Sequence, residues 1–440
     1  MLSADLVLRG GSVVTMDAAG TVLPEADVAV ADGAIVAVGP ALEVEAARVL
    51  DVRGCAVTPG FVNAHTHQCL LRGTKEDRPL ETWLDELCFP MEHALQPSHT
   101  VAAAQMNQIE MIRSGTTTFV DMYRHLSDIA PIVDRSGLRA VLAPQIMDVG
   151  NGRGETWEEA EDFVRAWAGQ HPRIDAWVGP HAPYTVHAEG YLRARRLADE
   201  VGTRVMTHLC ETRFEVEEVT RREGVGPVEW LDRLGVLDGL LGAHGVWLSD
   251  DDRERLARRG ASIVHNPSSN MKLASGVAEV GKAKEAGVAV GLGTDSVLSN
   301  NNLDMIEEAR LASFLQKVTL GDATALPAAE ALRLATMGGA EAIGMADRIG
   351  SIEVGKRADL VVISLEAAHM WPVFIGEQTN IVEQIVYSAS AADVRHTIVD
   401  GVPLMLDREL LTLDEAEASE AVRRAAADLI GTLPPTTPYQ

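Results

Sequence analysis

Apolar and polar residues alternate from the first positions of the chain, and the period of that alternation changes twice along its length. Near the N-terminus, short period-two runs at 6–8, 13–16, 28–30 and 35–38 read as strands, the last following the Asp32-Gly33 pair that marks a hairpin turn. The same style returns at 360–363, 385–387 and 397–399, ahead of a second such pair, Asp400-Gly401. The two ends are therefore predicted to build one small β domain together. Between them the rhythm becomes strand, helix, strand. A strand at 61–65 precedes a helix-like run at 101–113, stopped by Ser114-Gly115, and a strand follows at 116–121. Further strands are predicted to end at Pro144, Pro180, His208, His244, His265 and Asp295. Together these eight strand ends with intervening helices predict an α/β chain folded as a (β/α)8 TIM barrel, whose sites lie at the C-terminal ends of the strands. The expected division is 1–57 and 349–440 for the small β domain and 58–348 for the catalytic barrel. An amphipathic barrel helix is predicted over 327–345. The run Thr412-Leu413-Asp414-Glu415 reads as the capping-box start of a terminal helix that ends near Ile430.

Composition narrows the class of protein. Of 440 residues 46% are apolar, yet no run approaches the ~18 uninterrupted apolar residues of a membrane helix, so a soluble protein without a membrane partner is expected. The opening residues lack the basic-then-apolar layout of a signal peptide, which argues against export. Four cysteines, irregularly spaced and without a CxxC pair, suit a reducing cytoplasm better than a disulfide framework. A net charge of -26, with no Lys/Arg cluster interleaved by aromatics, excludes a nucleic acid polymer as the expected partner and leaves small molecules.

The candidate chemistry sits at the strand ends. In PGFVNAHTH, His65 and His67 are two apart on a strand and so share a face. Downstream the chain supplies His208 and Glu211 in HLCE, His244 in GAHGV, His265 in VHNPSSN and Asp295 in GLGTDS. His65, His67, His208 and Asp295 make a three-nitrogen, one-oxygen set that suits Zn²⁺ first and Fe²⁺ second, rather than Mg²⁺ or Ca²⁺. No lysine ends a strand between His67 and His208, so one divalent ion is expected, able to bring the pKa of a water molecule toward ~7. Glu211 lies three residues after His208 and would face away in a continuing strand, so the chain must leave the sheet just after the histidine. A shielded glutamate there can donate a proton to a ring nitrogen. His244 then orients the attacking oxygen, and Asp295 passes a proton to the leaving amine. His181 in GPHAPY also ends a strand and is expected to face a substrate. His265 either meets substrate or only hydrogen-bonds the Asn266-Pro267-Ser268 loop.

These motifs, with LLRG, FVDMY, HNPSSNMKL, SNNNLDM and the closing IGSIEVGKRADLVV, resemble the amidohydrolase superfamily over nearly the whole chain. Within it the likeness is to the branch of S-adenosylhomocysteine/5′-methylthioadenosine deaminases, related to guanine deaminase and the s-triazine hydrolases. The resemblance implies that His65, His67, His208 and Asp295 bind the metal, that Glu211 and His244 do the acid and base work, and that the protein is a homo-oligomer. It also implies that Trp83 and Glu92, in LETWLDELCFPMEHAL, meet a nucleoside, with Glu92 taking the ribose hydroxyls; paired carboxylate acceptors match two vicinal hydroxyls. There is one departure. Relatives that use S-adenosylhomocysteine carry arginines after the third strand, whereas this chain reads LAPQIMDVGNGRGE, with Pro144-Gln145 and only Arg153 nearby. The reading is thus an adenine nucleoside deaminase that favours a small 5′ group. An amino- or chloro-hydrolase of guanine, a pterin or an s-triazine is the alternative, and a non-catalytic barrel scaffold the remote one.

Overall fold

The computed structural model describes residues 2–74, 77, 80–149, 154–376 and 378–432. Both chain ends enter one nine-stranded sheet. The long strand Leu2–Val14 pairs antiparallel with Val22–Ala31 and parallel with both Val44–Asp51 and Cys55–Pro59. Serving two parallel neighbours in succession requires a bend, and the register shifts at Gly11. Cys55–Pro59 then pairs antiparallel with Leu360–Ser364, Val57 opposite Val362, which joins the two ends of the chain. The hairpin at Asp32-Gly33 has both residues at positive φ, 50° and 72°, as a tight twisted turn demands. Leu8, Val13, Val28, Val30, Val57 and Leu360 form a core within this sheet, while Ala56, Val361 and Ile363 on its other face belong to the main core shared with the barrel.

Three expectations about secondary structure are corrected. Residues 385–387 are not a strand but the end of the helix Ile381–Tyr387, which buries Ile381, Ile385 and Val386 on one side. Three consecutive apolar residues carry no period, so a strand and a helix end look alike there. The helix predicted over 327–345 is two, Ala328–Leu334 and Met337–Ala342, broken at Thr336 with φ -129° and ψ -95°. The break lets Gly338 and Gly339 press against Val290 and Val62, where added Cβ atoms would meet backbone or side chain at 2.8 Å. The terminal helix Glu415–Thr432 is capped not by Thr412 but by Asp414, which accepts from the amides of Ala416 and Glu417. Thr412 donates instead to the carbonyl of Ser136.

The barrel strands are Phe61–Thr66, Thr116–Tyr123, Arg139–Ile146, Ile174–Ala176 continued by Gly179–Pro180, Met206–Leu209, Leu241–His244, Ser262–His265 and Ala289–Leu292. All neighbouring pairs are parallel. At one seam the amide of Met206 donates to Val178 and that of His208 to the carbonyl of His181. At the other, Asp295 donates to the carbonyl of His65, and the Asn63 side chain bonds Thr294 through both its oxygen and its nitrogen, at 3.0 and 2.7 Å. This second seam is close because Gly293 lacks a side chain: a Cβ there would lie 2.9 Å from His65 N and 2.7 Å from its carbonyl oxygen. Among the described residues no helix is long and apolar enough to cross a membrane.

A buried charge cluster pins the barrel to the β domain. Arg139, on the third barrel strand, donates to both oxygens of Asp359, at 2.9 and 3.1 Å, and to Asp400 at 2.6 Å, with Arg139 and Asp359 each only 2% exposed. Removing one partner of such a buried set strands the charge of the other, so Arg139→Ala is expected to lower the unfolding free energy by roughly 3 to 5 kcal/mol. Urea denaturation reads this directly. A loss below about 1 kcal/mol, the worth of a surface pair, would contradict the account.

Candidate metal centre and substrate cavity

Three imidazoles and one carboxylate converge at the C-terminal ends of the first, fifth and eighth strands. The pairing of the first strand with its neighbour is irregular between Asn63 and Thr66, and the His65 and His67 rings stand edge to face at 86° rather than side by side. His67 Nδ1 is bonded to the Met122 carbonyl, and His208 Nδ1 lies 2.8 Å from the His181 carbonyl. A ring nitrogen that meets a carbonyl carries the proton, which leaves both Nε2 lone pairs facing each other at 3.2 Å. Asp295 Oδ1 lies 3.3 Å from His67 Nε2 and 3.7 Å from His65 Nε2. One nitrogen from each of His65, His67 and His208 falls within 4.8 Å of the others. His65 is fully buried, with neither ring nitrogen hydrogen-bonded to any described residue.

The electrostatics favour the ligating forms. Burial, reinforced by neighbouring imidazoles, pushes the pKa values of His65 and His208 well below the ordinary range, so both are neutral at pH 7. Asp295 is held below the usual carboxylate range: burial acts against its charge, but His67, His244, His65 and Ser269 outweigh it. Its Oδ2 accepts from the hydroxyls of Ser269 and Ser299, at 2.6 and 2.9 Å, and its Oδ1 from the Ser296 amide at 2.8 Å. Lone pairs crowded without donors and a carboxylate held ionised fit a first-row divalent cation.

Glu211 reaches the same place because the chain turns sharply after the fifth strand. Cys210 takes a left-handed φ of 52°, and the amides of Cys210 and Glu211 both donate to the carboxylate of Glu215, at 2.8 and 2.9 Å. Glu211 Oε2 lies 3.7 Å from His244 Nε2. His244, itself at φ 77°, sets its Nδ1 2.8 Å from Asn270 Oδ1. The short helix Pro267–Lys272 after the seventh strand therefore holds His244 through Asn270 and Asp295 through Ser269.

A cavity opens over this group and is lined by His67, His208, Glu211, His244 and Asp295. Trp83 and Glu92 line it from the other side, Trp83 ending the short helix Leu80–Trp83 and Glu92 lying on Phe89–Ala94. Gln145 Nε2 lies 3.4 Å from Glu92 Oε1, and Arg124 donates to the Glu92 carbonyl. His181 also lines the cavity; its Nδ1 is 2.8 Å from Thr185 Oγ1, and burial pushes its pKa down to about 3. His265 is elsewhere. It is fully buried, does not line the cavity, and neither ring nitrogen is hydrogen-bonded to a described residue, so the structure brings it neither to the cavity nor onto Asn266-Pro267-Ser268, which form the start of the helix Pro267–Lys272 rather than a loop. Arg153 lies outside the described residues. Sequence reasoning did not single out Ser269, Asn270, Ser299 or Glu215, nor Tyr123, which also lines the cavity. The first two stand inside the HNPSSN run, whose polar density was a usable signal.

Comparison with known proteins covers almost the whole chain. A profile of the amidohydrolase family matches residues 56–404. A 5-methylthioadenosine/S-adenosylhomocysteine deaminase of Pelotomaculum thermopropionicum is 42% identical, across 96% of this chain and 98% of its own. A 5′-deoxyadenosine deaminase of Methanosarcina acetivorans is 40% identical, across 97% and 99%. Among solved structures, an adenosine deaminase from Xanthomonas campestris with bound zinc superposes with a TM-score of 0.93 at 36% identity, across 98% and 99% of the two chains. Likeness at this level, over the barrel and the sheet alike, assigns the chain to the amidohydrolase family.

Proposed function

We propose that the protein is a metal-dependent hydrolytic deaminase of adenine nucleosides, converting them to the inosine analogue and ammonia with one Zn²⁺, or in its place Fe²⁺, per chain. The observation that carries this reading is that Glu92 and Trp83 line the same cavity as Glu211, His244 and the His/Asp group. The names of the relatives above support it. The four free, buried cysteines fit a reducing cytoplasm.

His65, His67, His208 and Asp295 would hold the ion. The ion supplies Lewis acidity that brings the ionisation of water into the neutral range. Trp83 offers an apolar wall to the nucleoside, and Glu92 accepts its two ribose hydroxyls. Glu211 delivers a proton to the purine ring nitrogen next to the attacked carbon, so that the ring accepts the incoming oxygen without building up negative charge. His244, fixed through Nδ1 by Asn270, presents Nε2 to that oxygen. Asp295 takes a proton from the attacking water and passes it to the departing amine. A carbon–oxygen bond forms and a carbon–nitrogen bond breaks; of the water's two protons, one leaves with ammonia and the other restores the Glu211 carboxyl, whose own proton stays on the ring nitrogen.

The 5′ substituent is small and apolar on this reading. Cys69, Cys88, Met91 and Leu84 line the cavity, and no Lys or Arg does so among the described residues. Gln145, at the end of the third strand, offers an amide to Glu92 rather than a charge to a substrate tail.

Metal analysis is expected to find about one Zn²⁺ or Fe²⁺ per chain, because four protein ligands nearly saturate one ion. His65→Ala should lose metal and activity together, whereas Glu211→Gln should keep the metal and lose kcat by roughly two to four orders of magnitude. Full turnover after chelation and dialysis would contradict the first part, and metal loss in Glu211→Gln the second.

Glu92→Ala should weaken kcat/KM for adenosine and 5′-methylthioadenosine much more than for 2′-deoxyadenosine or free adenine, since only a ribose uses both carboxylate oxygens. Equal losses on all four, or a wild-type preference for the free base, would replace the nucleoside with a bare heterocycle. For the tail, kcat/KM with 5′-methylthioadenosine or 5′-deoxyadenosine should equal or exceed that with S-adenosylhomocysteine. A charge-assisted fork missing from the site is worth about 1.5 to 3 kcal/mol. A tenfold preference for S-adenosylhomocysteine would overturn the small-group reading.

A further inference from the structure

The turn that brings Glu211 into the site is held by a carboxylate with no part in the chemistry described above. His208 stands one residue before the end of the strand Met206–Leu209, and a strand continued through Glu211 would carry that side chain to the opposite face. The chain instead reverses at Cys210, a non-glycine residue at φ 52°. Side chains disfavour the left-handed region, and cysteine lacks the short polar arm with which asparagine or aspartate steadies it. Something outside the turn must hold it.

Glu215 meets that need. It is 0% exposed, sits in the first turn of the helix Arg213–Glu223, and receives the Cys210 amide on Oε1 at 2.8 Å and the Glu211 amide on Oε2 at 2.9 Å. Its own amide donates to Thr212 Oγ1 at 3.2 Å, so Thr212 and Glu215 lock the helix start and the turn to each other. Burying a carboxylate is costly, and burial here pushes its pKa up to about 8. The two amides converge on two separate oxygens, a demand that glutamine, with one oxygen, cannot meet. An apolar residue would pack better if filling space were the only requirement.

We propose that Glu215 is a positioning residue for catalysis: by holding the left-handed turn at Cys210 it aims the Glu211 carboxylate at His244 and at the substrate ring. The proposal rests on the reading of Glu211 as the proton-transfer group. It predicts that loss of Glu215 acts on turnover through Glu211, leaving metal binding and substrate affinity in place.

The test uses the full metal-loaded chain, with Glu215→Gln, Glu211→Gln and the double variant compared to wild type on 5′-methylthioadenosine. Hydrogen exchange is followed in parallel on the peptide that spans the turn. In Glu215→Gln, kcat should fall about tenfold or more, with KM within about threefold and metal content unchanged. The same substitution in the Glu211→Gln background should cost less than about threefold more, because residues that act as one unit are not additive. Exchange at the turn should quicken in Glu215→Gln while the rest of the barrel keeps its protection. Unchanged exchange, a kcat within threefold of wild type, a full multiplicative loss in the double variant, or loss of metal or fold in Glu215→Gln would each overturn the proposal. If Glu211→Gln alone keeps wild-type turnover, or wild type deaminates no nucleoside, it is the reading of the active site that fails. Exchange then decides whether Glu215 holds the turn.

Discussion

Polar atoms that have left water must find partners, and at the mouth of this barrel three imidazole nitrogens, with no donor among the described residues, face one another and a carboxylate. His65 is buried with both nitrogens without hydrogen bonds to described residues, two further Nε2 atoms face each other at 3.2 Å, and Asp295 is held ionised beside them. A cavity built from such groups is unfavourable unless a cation gathers their lone pairs. Much of the surrounding architecture answers to that requirement. Gly293 lets the eighth strand approach the first, backbone carbonyls choose the tautomers of His67 and His208, and two serine hydroxyls fix Asp295.

Around this centre the orienting contacts come from helices that follow the strands rather than from the strands themselves. The short helix after the seventh strand holds His244 through Asn270 and Asp295 through Ser269. It is tethered in turn by Glu308, a buried carboxylate that takes the Ser268 amide at 3.2 Å and the Asn300 side chain at 2.8 Å. Glu215 does the corresponding work for the turn before Glu211. Short strands of four residues leave little regular structure above the sheet, so buried side chains must supply the rigidity that proton transfer needs.

The barrel and the convergence of His65, His67, His208 and Asp295 were legible in the sequence because each of them stands where an apolar run stops, and a parallel barrel collects all such stops on one face. Glu211 was legible as a residue, but not the route that brings it round: a positive φ at Cys210 leaves no mark in residue type. His265 satisfied the same strand-end rule as His208 and His244 and yet does not line the cavity, since the rule marks position along a strand and not direction. Val44–Asp51, whose residues are mostly exposed, had no apolar run to announce it, and the break at Thr336 follows from close packing of Gly338 and Gly339 that only the assembled fold imposes. Arg153 lies outside the described residues, and in this region the cavity is lined by Gln145, at the end of the third strand.

The central claim is that one buried cation and the Glu211/His244 pair hydrolyse the exocyclic amine of an adenine nucleoside. The most direct measurement is a product balance: metal-loaded protein is incubated with 5′-methylthioadenosine, and inosine-type product and ammonia are quantified together. The account predicts equal amounts of 5′-methylthioinosine and ammonia, with no free adenine. Release of adenine, or no ammonia from any adenine nucleoside while guanine, a pterin or a triazine is turned over, would contradict it.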